Sequence, residues 1–250
     1  MITDPWFYAV AIPATIIMGL SKGGFTTIGL LTVPLMALVI SPVQAAAITL
    51  PLLVLSDVVA VASYWRDFDK TTVAIMLPAG MIGVGIGWLT AAWVTEYEIR
   101  LIIGIMSVVF AAHYFLRGRH RPHPHPQNVP KGLFWGTLSG FTSFVSHAGG
   151  PPFQIYAAPL RLAPKVLAST SVMVFAAVNL TKVVPYYFLG QFDAANLKTS
   201  AVLLPLAVVT TLSTVWLIKR IDRTAYYTWI YLAILVIGIY LVAEALAELA

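Results

Sequence analysis

Apolar residues come in blocks of roughly 15–25 along the whole chain, separated by short polar or Gly/Pro-rich stretches. In the first part the blocks are Trp6–Leu20, Phe25–Ile40, Ser41–Trp65, Thr72–Val94 and Ile99–Leu116. In the last part they are Gly132–Val145, a short block ending at Leu162, Ala163–Phe188, Leu197–Ile218 and Ala225–Ala243. Within each block the apolar residues are continuous. They do not alternate with polar ones, so the pattern predicts helices and argues against a β-barrel. The expected fold is an all-α polytopic membrane protein.

Two blocks are cut where hydropathy demands continuity. Ser146-His147-Ala148-Gly149-Gly150-Pro151-Pro152-Phe153 cannot carry an unbroken helix, because Gly is entropically costly there and Pro lacks an N–H. Ser21-Lys22-Gly23-Gly24-Phe25 is a weaker counterpart in the first half. Broken backbone at membrane depth must be buried in protein or line a cavity, since each freed N–H or C=O costs several kcal/mol in hydrocarbon. Paired Gly/Pro interruptions at corresponding places in two halves point to a transporter's substrate site. The short blocks around them are tilted spans or hairpins whose tips stop part way across.

The halves match in order. Gly23-Gly24 corresponds to Gly149-Gly150, Pro34-Leu35 to Pro159-Leu160, and Pro42 to Pro164. Phe68-Asp69 corresponds to Phe192-Asp193, and Leu77-Pro78 to Leu204-Pro205. All offsets lie between 122 and 127 residues. This predicts a first repeat over residues 1–116, a linker over 117–131 and a second repeat over 132–250. Five crossings per half would make the repeats inverted. Charge agrees with that arrangement. With the linker in the cytoplasm, 11 of the 15 Lys and Arg residues fall on the cytoplasmic side, and both termini lie outside. The linker's His and Pro residues (His120, Pro122, His123, Pro124, His125, Pro126) read as a basic stop-transfer segment rather than a metal site, because Pro holds the imidazoles apart.

Composition narrows the function. The 250 residues are 59% hydrophobic and 10% charged, with mean hydropathy +0.86; a soluble domain is about 25% charged. The absence of cysteine removes disulfides, thiol catalysis and thiolate metal sites. Met1-Ile2-Thr3-Asp4-Pro5 has no basic n-region, so no cleaved signal peptide is expected. The net charge of +5 follows membrane orientation and does not indicate nucleic acid. Gly80, Gly83, Gly85 and Gly87 could bring helices close within the protomer or across a homodimer.

Four ionisable residues remain at or near membrane depth: Lys22, Asp57, His147 and Lys182. Lys22, beside Gly23 and Gly24, suits an anion next to a helix start; snorkelling to the headgroups is the alternative. His147, next to Ser146, could donate to an anion, carry a proton, or satisfy carbonyls freed by the break. Asp57 could carry a proton or pair with a buried lysine. Its repeat equivalent is Asn179. Thr49, Leu53 and Asp57 share one helix face, and Ser171, Phe175, Asn179 and Lys182 share another. Lys182 sits about 9 Å from the outer end of its helix. Thr26, Thr27, Gln154 and Tyr156 follow the breaks, with Thr26 and Gln154 the better candidates as first-turn donors. The expected substrate set is therefore Lys22, Gly23, Gly24, Thr26, Ser146, His147, Gly149, Gly150, Gln154, Asn179 and Lys182. His147 and Asp57 are the candidates for proton coupling.

The breaks at Lys-Gly-Gly-Phe and His-Ala-Gly-Gly-Pro-Pro-Phe, the Pro-opened long helices and the basic linker resemble the TauE/SafE family of the 4-toluene sulfonate uptake permease group. The resemblance spans about Trp6 to Ala243. It implies a bacterial inner-membrane transporter of small sulfur anions such as sulfite, sulfonates or sulfoacetate, with the two breaks lining the substrate. No cofactor or metal is expected. The chain contains no G-x-x-x-x-G-K-[ST], so transport would be coupled to protons or driven by the membrane potential. A passive anion channel or an intramembrane enzyme is the alternative. The Lys22 position is occupied by Ala148 or His147 in the second half, so the site should be asymmetric despite the repeat.

Overall fold

A computed structural model describes residues 2–90, 96–118 and 124–247. The linker's His120 and His123 therefore lie outside the described residues, as do the side chains of Glu96, Glu98, Arg100 and Ser146. Among the described residues the chain is helical throughout, with no strand. The first half contains α1 (Pro5–Gly23), a 3-10 segment (Thr26–Leu31), α2 (Thr32–Ala37), α3 (Pro42–Tyr64), α4 (Lys70–Thr90) and α5 (Glu96–His113). The second contains α6 (Val129–Ser146), α7 (Gly150–Ala157), α8 (Pro164–Phe188), α9 (Ala194–Ile218) and α10 (Arg223–Ala247). Six of these helices, α1, α3, α4, α8, α9 and α10, are long and apolar enough to cross a membrane.

Corresponding helices start by the same local chemistry. Asp4 and Asn128 cap α1 and α6 through the backbone N–H of Trp6 (2.9 Å) and Lys131 (3.0 Å), with Pro in the first turn of each. Asp69 and Asp193 cap α4 and α9 through Thr72 N–H and Asn196 N–H, both at 2.7 Å. Each cap satisfies a donor that the helix itself leaves free.

The long helices α3 and α8 run antiparallel through the centre. Ser169 Oγ donates to the carbonyl of Tyr64 (3.1 Å), and Asn179 donates to Asp57 (2.7 Å) further along. On one flank α1 lies parallel to α9, with Gly19 against Thr210 and Gly23 against Thr214. On the other, α4 lies parallel to α6. In the expected repeat α1 corresponds to α6 and α9 to α4, so exchanging the halves would map one flank onto the other. The pair α5 and α10 is antiparallel, with Gly104 near Val242 and, just past α5, Tyr114 stacked on Tyr231 at 3.5 Å.

The glycine face of α4 packs inside the protomer. A methyl group on Gly83 would strike the backbone of Thr137 and Phe141, and one on Gly140 would strike the backbone of Gly80. Such close backbone approach replaces the hydrophobic drive that lipid cannot supply. The outward faces are apolar, with Leu55, Val58, Leu89, Leu180 and Val209 exposed. Arg66 lies over Trp65 (4.4 Å) and Arg220 over Trp216 (4.1 Å), at the C-terminal ends of α3 and α9. Such pairs anchor helix ends at an interface.

Gly83→Ala and Gly140→Ala should each destabilise the protein by about 1–3 kcal/mol through overpacking, whereas Gly85→Ala, where a new methyl group meets nothing within 4 Å, should leave stability unchanged or slightly raised. Thermal unfolding in detergent distinguishes the three.

Candidate functional site

Both breaks end buried at the centre of the bundle, each held by its own chemistry. Helix α1 continues through Ser21 and Lys22 and stops at Gly23, a turn later than the apolar pattern predicts. Gly24 then adopts φ +140°, a conformation open to glycine. The carbonyls released there are met by tyrosines: Tyr64 Oη donates to Gly23 O (2.7 Å) and Tyr226 Oη to Gly24 O (3.2 Å). In the second break, α6 ends at His147, which is left-handed at φ 54°. Ala148 N–H bonds back to Thr142 O (3.1 Å), six positions earlier, so the helix end closes on itself. A non-glycine residue in this conformation is strained, and such strain clusters at functional sites. Gly149 and Gly150 have ordinary φ values. Their lack of a side chain serves close packing instead, since a methyl group would strike Ser139 and Ser143 at Gly149, or Thr26 and Thr27 at Gly150. Pro151 and Pro152 open α7, where missing N–H groups cost nothing.

Where the breaks meet, between the middles of α3 and α8, lies a cavity of about 50 Å³. That is space for about three to five waters at ~10–15 Å³ each, or for one small anion. Of the predicted site residues, Lys22, Thr26, Asp57, His147, Gly149, Gly150, Asn179 and Lys182 line it. Gly23, Gly24 and Gln154 do not. Gly23 faces Thr214 and Gly24 faces Ala168, while Gln154 is buried away from the cavity with Oε1 unpartnered among the described residues. Tyr156 also lies off the cavity and donates to Gln127 Oε1 (2.8 Å). Both predicted stripes reach the wall, through Thr49, Leu53 and Asp57 on α3 and Ser171, Phe175, Asn179 and Lys182 on α8.

The polar contacts form two groups. Lys22 Nζ donates to Asp57 Oδ1 at 2.6 Å, and Asn179 Nδ2 donates to Asp57 Oδ2 at 2.7 Å, so both carboxylate oxygens are engaged. Lys22 is 6% exposed and Asp57 3%. Lys182, 1% exposed, donates to the carbonyl and the hydroxyl of Ser143, both at 3.0 Å. These are neutral partners. His147 Nε2 lies 3.0 Å from Tyr186 Oη, and Thr26 Oγ1 donates to Ser171 Oγ at 2.8 Å.

Ser143, Thr32 and the two tyrosines were not evident from sequence. Ser143 stands four residues before His147 on the same face of α6, a spacing that would have found it. Tyr64 and Tyr186 are 122 residues apart, the offset of the repeat at Asp57 and Asn179. Thr32, in the return segment after the first break, gave no such signal.

A helical bundle with six helices of membrane-crossing length, and a small cavity lined by two lysines and one carboxylate where two broken helices meet, has the form of a multi-pass membrane protein. A family model described as Sulfite exporter TauE/SafE matches residues 11–241, and the chain belongs to that family. Among curated proteins, the probable sulfite/organosulfonate exporter TauE of Cupriavidus necator is 28% identical over 152 residues. That match covers 59% of this chain and 56% of the relative, so the aligned region spans little more than half of the relative's length. No solved structure matches.

Removing one member of the buried pair strands the other. Asp57→Ala should cost about 3–5 kcal/mol by leaving Lys22 uncompensated, and Lys22→Met with Asp57→Leu should recover most of that loss. Chemical or thermal unfolding of the single and double variants checks this.

Proposed function

We propose that the chain is a secondary transporter of small sulfur oxyanions, of the sulfite or sulfonate type, in the bacterial inner membrane. The observation that carries this reading is the cavity wall: two lysines against one carboxylate where two broken helices meet. The start of α7, at Gly149 and Gly150, turns a positive helix end toward the same space. The names of the family and of the Cupriavidus necator relative supply the substrate class and suggest export.

The proposed architecture is two inverted five-helix halves, residues 1–116 and 132–250, joined by a cytoplasmic linker over 117–131, with both termini outside. The antiparallel course of α3 and α8 and the matched flanks support it. The cavity holds only about 50 Å³, which favours a carrier over an open channel. Energy would come from protons or the membrane potential. A negative-inside potential favours anion exit by about 2.3 kcal/mol per charge per 100 mV.

Purified protein in liposomes loaded with sulfite should release it faster under a negative-inside potential. Lys182→Ala should slow release at least tenfold, and release equal to that of protein-free liposomes would end the proposal. The cysteine-free chain also permits a clean topology test. A cysteine replacing Gln191 should react with an impermeant maleimide from outside the cell, and one replacing Arg220 only after permeabilisation.

A further inference from the structure

Beyond the substrate class, the cavity fixes how much charge it can accept. We propose that Asp57 sets a valence rule: with its carboxylate ionised the site takes a monovalent anion, and a divalent anion enters only with one proton, which Asp57 accepts. This rests on the reading of the cavity as the anion site.

The geometry is specific. Asp57 holds Lys22 at 2.6 Å and is held by Asn179 at 2.7 Å, so it occupies the place an anion would take on Lys22. Among the described residues Lys182 has only the carbonyl and hydroxyl of Ser143, and an ammonium has three donors, so one of them is left for a ligand. The hydroxyl of Thr32, on the cavity wall and 2% exposed, has no partner among the described residues and independently marks a missing polar ligand. The titratable groups facing Asp57 are Lys22 from α1, Lys182 from α8 and His147 from the end of α6. Helices α2 and α9, which also pack near α3, bring no titratable group to the wall.

Unbalanced charge in a water-poor interior is expensive, so the occupied site tends towards neutrality. Lys22 and Lys182 with ionised Asp57 leave one positive charge, which one monoanion neutralises. A dianion would leave one negative charge in excess. A proton taken from solvent onto an Asp57 carboxylate oxygen, releasing Lys22 to the ligand, restores neutrality. The bond formed is O–H on Asp57, and the bond lost is the Lys22–Asp57 hydrogen bond.

Methanesulfonate and sulfate are suitable probes, because their charges of one and two stay constant between about pH 5.5 and 8.5. Titration calorimetry of the full-length protein should give methanesulfonate affinity that is flat with pH. Sulfate affinity should rise as pH falls, by up to about tenfold per pH unit. Asp57→Asn, which keeps the Asn179 contact but removes the charge, should reverse the preference. Sulfate should then bind at least tenfold tighter than methanesulfonate, with its pH slope abolished. An Asp57→Asn protein that keeps the wild-type preference, or the wild-type slope for sulfate, overturns the rule. If that variant does not fold, proton uptake by the wild type decides, measured in buffers of different ionisation enthalpy. Near one proton per sulfate and none per methanesulfonate supports the rule, and equal uptake overturns it. Binding of neither anion to the wild type would instead refute the cavity as the anion site.

Discussion

The Lys22–Asp57–Asn179 contact ties together the three helices on which the rest is built. Lys22 comes from the last turn of α1, Asp57 from the middle of α3 and Asn179 from the middle of α8. None of the three belongs in hydrocarbon alone, and each is tolerated because the others satisfy it. The contact therefore fixes the register of α3 against α8 and the depth at which α1 stops. That depth decides where the first return segment begins, and so where it can meet the second.

Bringing the two breaks together poses a second constraint, because each leaves backbone groups that lipid cannot hydrate. The halves solve it differently. At the first break, hydroxyls of Tyr64 and Tyr226 reach the carbonyls of Gly23 and Gly24. At the second, the helix closes on itself through Ala148 and Thr142, and Ser139 Oγ donates to Gly149 O at 2.7 Å. The cavity wall takes part at both: Ser21 Oγ donates to Thr26 O at 3.3 Å, and Lys182 donates to Ser143 O, in the last turn of α6, at 3.0 Å. Lys22 and Thr32 make no such bond to a freed carbonyl among the described residues.

Under the proposed repeat the packing would be twofold in pattern and the chemistry would not. Helix caps, flanking pairs and the two tyrosines Tyr64 and Tyr186 recur at the repeat offset. The charges do not: Asn179 stands opposite Asp57, and Ala60 stands where the second half has Lys182. A symmetric site would carry either two ion pairs or none. Among the described residues this one carries one ion pair, Lys22 with Asp57, and one further lysine, Lys182, held by the neutral groups of Ser143.

Much of this was legible in the sequence. Continuous apolar blocks fix membrane helices because backbone in lipid has no other way to satisfy itself, and Gly/Pro clusters fix where those helices fail. Helical spacing placed Thr49, Leu53 and Asp57 on one wall, and Ser171, Phe175, Asn179 and Lys182 on the other. Periodicity could not say what faces what. That Gly149 and Gly150 serve close packing while His147 makes the left-handed turn, that Gly23, Gly24 and Gln154 turn away from the cavity, and that the α4 glycines meet α6 within one protomer all depend on contacts between residues far apart in the chain. So does the pairing of Lys22 with Asp57, 35 residues away. A sequence lists a buried charge, and only the packed helices decide which neighbour neutralises it, because that depends on depth and rotation set by the whole bundle.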